Sequence, residues 1–370
     1  MLTILTIGLL FSASSTASAA QSPFTDTTET AVPGGVQLKG KVAVEVDGQP
    51  ASKRFVLRVP AKWNGSLVIG AHGGSGGDAI DRAGRVYATS ETALDDVIGS
   101  YAFEHGFAYA SVDRDGIGNS RAGYGVTTRF ATLARAEVTR LGKSTPLRIY
   151  IVGLSAGGGI TRMIVESMPT PFDGAVIIAG AGADLVTRLD RQTRMAALWP
   201  LIDPRAHSGI SDNDSKVLSY AEALGTPVAA RRLWPYTGAG AVAAAARPAG
   251  NADNSTARPS IPTIEVVGTW DDLVIREVRA YRDRVEPKDR HRLYQVEGVW
   301  HMSGDDDGVQ GFQFAAESRM KLGKDVADAM GESPSYIPTV REAFDHLVRW
   351  VEKGTAPPAS QMVKAGGRLR

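Results

Sequence analysis

The 370-residue chain contains no cysteine. A thiol nucleophile is therefore excluded, and so is a disulfide framework, which leaves stability to the packed core. A surplus of charge is missing too: 41 Lys and Arg balance 40 Asp and Glu, with no basic block. Such a balance argues against nucleic acid or an anionic membrane surface as the main partner. Internal repeats are absent. The first twenty residues carry no charge, and their apolar stretch 2–11 is followed by small residues ending in Ala17-Ser18-Ala19. The stretch is too short to cross a bilayer, so it reads as a signal peptide over 1–19, although no Lys or Arg precedes it. It predicts a secreted or periplasmic protein with no membrane anchor after cleavage. About 350 residues then remain, enough for one large α/β domain with an inserted subdomain.

Apolar runs mark strands at 36–46, 55–59, 67–71, 107–112, 149–153, 174–179, 263–267 and 293–296. Asp47-Gly48 between the first two is a hairpin signal, so the sheet should open antiparallel. Helical patterns follow at 91–105, 129–141, 160–168, 275–285 and 340–351, with Ile160, Met163, Ile164 and Met168 near one face. Strand–helix alternation implies the α/β class, a doubly wound and mostly parallel sheet with helices on both faces. Between about 182 and 260 the alternation breaks, in a stretch holding Tyr220, Trp234 and Tyr236 and then an Ala/Gly-rich tract. A structureless loop of that length does not suit a compact domain, so it is read as a helical cap or lid. The expected division is an N-terminal extension over 20–35, core over 36–182, cap over 183–260, core again over 261–355, and a C-terminal tail over 356–370.

One segment carries chemistry. The apolar strand ending at Val152 runs into Gly153-Leu154-Ser155-Ala156-Gly157, the G-x-S-x-G turn that holds a serine hydroxyl over a sheet edge where a helix begins. If the turn forms, Ser155 is a nucleophile for acyl transfer. A chain with 41 glycines also meets this pattern by chance, and Gly73-Gly74-Ser75-Gly76-Gly77 is a second match.

Three further segments bear on the choice. Ser66 to Ala71 followed by His72-Gly73-Gly74-Ser75 looks like a strand with an oxyanion loop. Gly268-Thr269-Trp270-Asp271-Asp272-Leu273-Val274 looks like a strand end bearing an acid, and Val299-Trp300-His301 like the loop bearing a base. With these the chain resembles the α/β-hydrolase superfamily over roughly residues 36–355, in the order Ser…Asp…His. The resemblance implies Ser155 as nucleophile, His301 as general base and Asp271 as its orienting carboxylate. The neighbouring Asp272 fits the G-x-x-D-x-x-V spacing less well. It also implies an oxyanion hole from the amides of Gly74 and Ala156, which turns the competing serine motif into the oxyanion loop. His72 is expected to be a structural hydrogen-bonding residue. Ser75, Trp270 and Trp300 are candidates for substrate contact, with core packing the default for the two tryptophans.

No cofactor and no metal are implied. The acidic run Asp305-Asp306-Asp307 lacks the full ligand spacing of a Ca²⁺ loop and reads as a solvated turn. The turn-rich segment 113–120 reads as a surface connection, or else as a substrate-contacting loop. The chain end around Trp350 is similar to secreted tannase and feruloyl-esterase-type enzymes, which suggests an aromatic, bulky or polymeric ester as substrate. It departs from them in lacking the cysteines that flank their serine and histidine. The expected function is an exported serine esterase working through an acyl-enzyme. A serine peptidase or amidase on the same fold is the alternative, and a non-catalytic binding protein the alternative of another class.

Overall fold

Strands that are apolar at every position need cover on both faces, and five strands of this chain are buried throughout or nearly so. The structure is a computed structural model and describes residues 22–74, 78–80, 86–88, 94–114, 121–141, 143–182, 257–269, 271, 274–299, 301 and 334–370. The expected leader, nearly all of the expected cap and the acidic run at 305–307 lie outside these residues.

The strands of the main sheet are β1 (Phe24–Val32), β2 (Gly35–Val46), β3 (Gln49–Pro60), β4 (Ser66–Ala71), β5 (Ala108–Val112), β6 (Arg148–Leu154), β7 (Gly174–Ile178), β8 (Thr263–Gly268), β9 (His291–Glu297) and β10 (Gln361–Lys364). Their spatial order is β1-β2-β3-β5-β4-β6-β7-β8-β9-β10. β1, β2 and β3 pair antiparallel, β3 joins β5 antiparallel, and every later pairing is parallel. The Asp47-Gly48 hairpin forms as expected, with Val46 opposite Gln49 and φ of 49° and 77° at the two turn residues. Positive φ at both positions gives the turn a twist that matches the flanking strands.

Side-chain alternation divides the core in two. On β6, Ile149 and Ile151 face one cluster, while Tyr150, Val152 and Leu154 face the other. The first cluster is covered by α2 (Arg121–Arg140) and α3 (Ala156–Val165). The second is covered by a π-helical turn at Asp95–Gly99 that continues into α1 (Ser100–Glu104), with α4 (Ile275–Arg284) and α5 (Ile337–Lys353). Val340, Ala343, Phe344 and Leu347 recur at helical spacing on α5 and are all fully buried. Phe344 packs edge-on against Phe107 and Tyr150, with ring centres 5.2 and 5.8 Å away. Gly354 ends the helix at φ 68°, a left-handed cap. Among the described residues no helix is long and apolar enough to cross a membrane.

Three local expectations change. α2 begins at Arg121 rather than 129, because Gly123, Gly125 and paired threonines weaken its early signal without preventing burial of Gly123, Val126 and Thr127. α3 covers Ala156–Val165 instead of 160–168, so Ile160 and Ile164 are buried but Met168, beyond the helix end and next to Pro169, is 74% exposed. Both flanks of the expected core contribute edge strands, β1 and β10. β1 is polar and mostly exposed, and β10 is four residues long, so neither carries a periodic apolar signal.

A buried ion pair ties α3 to the sheet. The Arg162 guanidinium on α3 meets the Glu265 carboxylate on β8, with Arg162 also stacked over Tyr281 at 4.8 Å. His291 Nε2 lies 3.4 Å from the other Glu265 oxygen, and burial holds the imidazole below its ordinary pKa against the pull of that carboxylate. Arg162→Met should therefore strand a buried charge and lower stability by about 3–5 kcal/mol, whereas the double change R162M/E265L should recover most of the loss. Urea midpoints at a constant m-value measure both.

Candidate active site

In a parallel sheet the loops leaving the carboxyl ends converge along one edge, and chains that diverge on either side of a central strand leave a crevice there. The chain goes from β4 to β5 on one side and then to β6 on the other, so β4 is that central strand. His72 to Gly74 follow β4, Asp113 and Arg114 follow β5, Ser155 follows β6, Asp271 follows β8 and His301 follows β9.

Ser155 is the single residue between β6 and α3, with φ 54° and ψ −115°. A side chain in that region of φ is strained and persists only where the surroundings hold it. Here the Ser155 amide donates to the Ile178 carbonyl at 2.9 Å, and the Ser155 carbonyl accepts from Gly159 and Ala181, each at 3.0 Å. The turn is this tight only because Gly157 has no side chain: a Cβ there would lie 1.9 Å from the carbonyl oxygen of Ala71. Ala156 begins the helix, so its amide has no acceptor within the helix.

The residues expected as acid and base, Asp271 and His301, come from loops that are laced together. Thr269 donates its amide to the Val296 carbonyl and accepts from the Gly298 amide through its hydroxyl, both at 2.9 Å. Gly268 lies against Val299, where a Cβ would stand 2.0 Å from the Val299 carbonyl oxygen. Asp271 is 1% exposed, and its Oδ1 accepts from the Val274 amide at 3.3 Å. His301 Nδ1 lies 2.8 Å from Asp271 Oδ2, and His301 Nε2 lies 2.9 Å from Ser155 Oγ. A proton on Nδ1 directed at the carboxylate leaves the Nε2 lone pair facing the hydroxyl.

The loop after β4 lies over the serine, since a Cβ on Gly73 would be 3.4 Å from Ser155 Cβ. His72 is fully buried. Burial first, and the nearby Arg114 cation second, hold its pKa well below the ordinary value, so the ring is neutral. Its Nε2 accepts from the Arg114 amide at 3.2 Å, which leaves the proton on Nδ1 to donate to the Gly73 carbonyl at 2.8 Å. A trans peptide sets its C=O and N–H on opposite sides. Fixing the Gly73 carbonyl toward the imidazole thus turns the Gly74 amide away from it, at a residue with φ 58°.

The structure brings Ser155, Asp271, His301, Gly74 and Ala156 to one edge. Ser75, Trp270 and Trp300 lie outside the described residues, as does Asp272. The 113–120 segment begins differently from either expectation: Asp113 and Arg114 are 0% and 1% exposed. Arg114 also donates to the His72 carbonyl, and Arg54 pairs with Asp113 at 2.9 Å. Burial lowers the Arg114 pKa to about 10 against the opposing pull of Asp113, which still leaves it charged at neutral pH. Sequence reasoning missed this support, and also Tyr336, whose hydroxyl donates to the His301 carbonyl at 3.0 Å. No motif spacing relates these residues to the ones they hold.

Gly268→Ala must push the His301 loop off the Asp271 loop, and turnover should fall at least a hundredfold, on the scale of a misplacement of about 1 Å. Stability should also depend on pH. A histidine held below its ordinary value of 6.5 binds a proton more readily when unfolded, so its contribution to stability is complete above that value and declines as pH falls below it. His72 and His291 should each add a slope of up to about 1.4 kcal/mol per pH unit in that range. His291→Gln should flatten the fall of the urea midpoint between about pH 7.5 and 5 relative to the parent protein.

Comparison with known proteins gives the following. A family model described as an alpha/beta hydrolase domain matches residues 16–369. Mono(2-hydroxyethyl) terephthalate hydrolase from Piscinibacter sakaiensis is 28% identical over 165 residues, 41% of this chain and 27% of that relative. The match thus spans only about a quarter of the relative's length. Feruloyl esterase B from Aspergillus oryzae is similar over 87% of this chain and 82% of its own, at a TM-score of 0.51 and 14% identity. An esterase from the same organism is similar over 87% and 81%, at 0.50 and 15%. At such identities these two likenesses concern the fold alone.

Proposed function

The chain belongs to the alpha/beta-hydrolase family, and from that premise we propose that it is an exported serine esterase that cleaves carboxylic esters through an acyl-enzyme. The observation that carries the proposal is the two-bond chain from Asp271 Oδ2 to His301 Nδ1 at 2.8 Å and from His301 Nε2 to Ser155 Oγ at 2.9 Å. A serine hydroxyl is a weak nucleophile at neutral pH and needs a base within hydrogen-bond reach.

In this mechanism Ser155 Oγ attacks the ester carbonyl carbon while its proton passes to His301 Nε2. Asp271 keeps the imidazole in the tautomer that can accept it and stabilises the imidazolium. The carbonyl oxygen gains negative charge and accepts hydrogen bonds from the Gly74 and Ala156 amides, each worth roughly 10²–10³ in rate. Collapse of the tetrahedral species breaks the bond to the alcohol, which leaves with the proton from His301. Water, deprotonated by the same imidazole, then attacks the acyl-enzyme and releases the acid and free Ser155.

For the substrate we favour an aromatic or bulky ester, small or polymeric. The relative with 28% identity is named for hydrolysis of a terephthalate monoester, which is an aromatic ester. Export rests on the leader at 1–19, and Ser75, Trp270 and Trp300 remain the candidates for substrate contact.

A fluorophosphonate probe should label the parent protein, and Ser155→Ala should abolish both labelling and ester turnover, with a loss of about 10⁶ in kcat. Labelling that survives the substitution overturns the assignment. Asp271→Asn should lower kcat by about 10⁴ while preserving the fold, because it favours the wrong tautomer. Matched ester and amide substrates separate the esterase from the peptidase reading: faster amide cleavage would favour the latter.

A further inference from the structure

We infer that Tyr336 is a positioning residue that holds the base of this site through the main-chain carbonyl of His301, with Thr269 acting on the same loop from the acid side. The inference rests on the reading of Ser155, His301 and Asp271 as the reacting set. The phenol of Tyr336 is fully buried and donates to the His301 carbonyl at 3.0 Å. Its own backbone is anchored where α5 begins, since the Val340 amide donates to the Tyr336 carbonyl at 3.0 Å. The ring belongs to the same core cluster as Val274 and Val299, beside the acid and base loops respectively.

His301 stands four residues past the end of β9, so the strand itself does not fix it. Upstream, the Thr269 hydroxyl holds the Gly298 amide at 2.9 Å. Downstream, the next element among the described residues is α5, whose first residue is Ile337. With no cysteine in the chain, no disulfide restrains this loop. The Tyr336 hydrogen bond links the start of this helix directly to the residue that bears the imidazole. A role in packing alone would be met by phenylalanine, because burying a hydroxyl is costly unless it finds an acceptor. The acceptor it finds is the carbonyl of the residue whose ring must lie within 3 Å of both Ser155 and Asp271.

Tyr336→Phe should leave the fold intact and lower kcat by roughly 10–100-fold with KM unchanged, since a small misplacement of the base is felt in the reaction more than in binding. The acid limb of the kcat/KM profile should move to lower pH, because a looser bond to Asp271 stabilises the imidazolium less. Fluorophosphonate labelling of Ser155 should slow by a similar factor. Tyr150→Phe, which removes another largely buried hydroxyl, one bonded to Glu352 and remote from the base, serves as the control and should leave kcat and the limb in place. Unchanged kcat and pH profile in a folded Y336F protein would overturn the inference while leaving the esterase reading intact. Activity surviving in Ser155→Ala would instead overturn that reading. If Y336F does not fold, Thr269→Val provides the same test: it should show the same split between kcat and KM and the same shift of the limb, and parent-like kinetics would overturn the inference.

Discussion

A methyl group on Gly157 would have to occupy space 1.9 Å from the Ala71 carbonyl oxygen and 2.5 Å from that of His72. Without it, α3 can start directly against the end of β4, and the rest of the edge depends on that approach. It brings the Ser155 turn beneath the loop after β4, so that Gly73 and the serine are in contact range. It also places the backbone at Ser155 at φ 54°, a strain opposed by the hydrogen bond its amide donates to Ile178 and those its carbonyl accepts from Gly159 and Ala181. A strained residue held by the end of β7 and by its own helix cannot relax away from the position where its hydroxyl meets an imidazole.

The same device recurs on the other side of the crevice. Gly268 admits the Val299 carbonyl, and Thr269 then bonds to both Val296 and Gly298. Two loops that leave neighbouring parallel strands become one unit, which is why an aspartate and a histidine 30 residues apart face each other. Behind these contacts stand buried charged groups that a purely apolar core would do without. Arg114 supports His72 and the loop after β4, and Arg162 with Glu265 ties the serine helix to the strand that leads to Asp271. Such groups cost desolvation energy, so their retention at this edge is consistent with orientation rather than stability as their main contribution.

Much of the sheet was legible because fully apolar strands and the Asp47-Gly48 turn are local signals. The candidate site residues that the structure brings to one edge were legible for a similar reason: each lies in a short glycine-marked segment at a strand end. β1 was hidden by its exposed threonines and glutamate, and β10 by its brevity. Arg114 with His72, Tyr336 with His301 and Arg162 with Glu265 are 42, 35 and 103 residues apart, and no spacing rule links them. Turn residues are usually exposed, so the 113–120 segment reads as surface or substrate-contacting, yet Asp113 and Arg114 at its start are buried. Packing buries them, with the Arg114 amide donating to the His72 imidazole and Asp113 paired with Arg54.

By itself, then, the amino-acid order determined the fold class, the strand ends and the residue types available at them, because backbone geometry and the alternation of apolar side chains are local properties. Only tertiary structure decided that Asp271 and His301 stand 2.8 Å apart, that His72 is a neutral brace under Arg114, and that the Tyr336 hydroxyl reaches the His301 carbonyl. Those relations depend on which loops the parallel sheet gathers at its carboxyl edge, and on glycines whose value is the space they leave for a distant segment of chain.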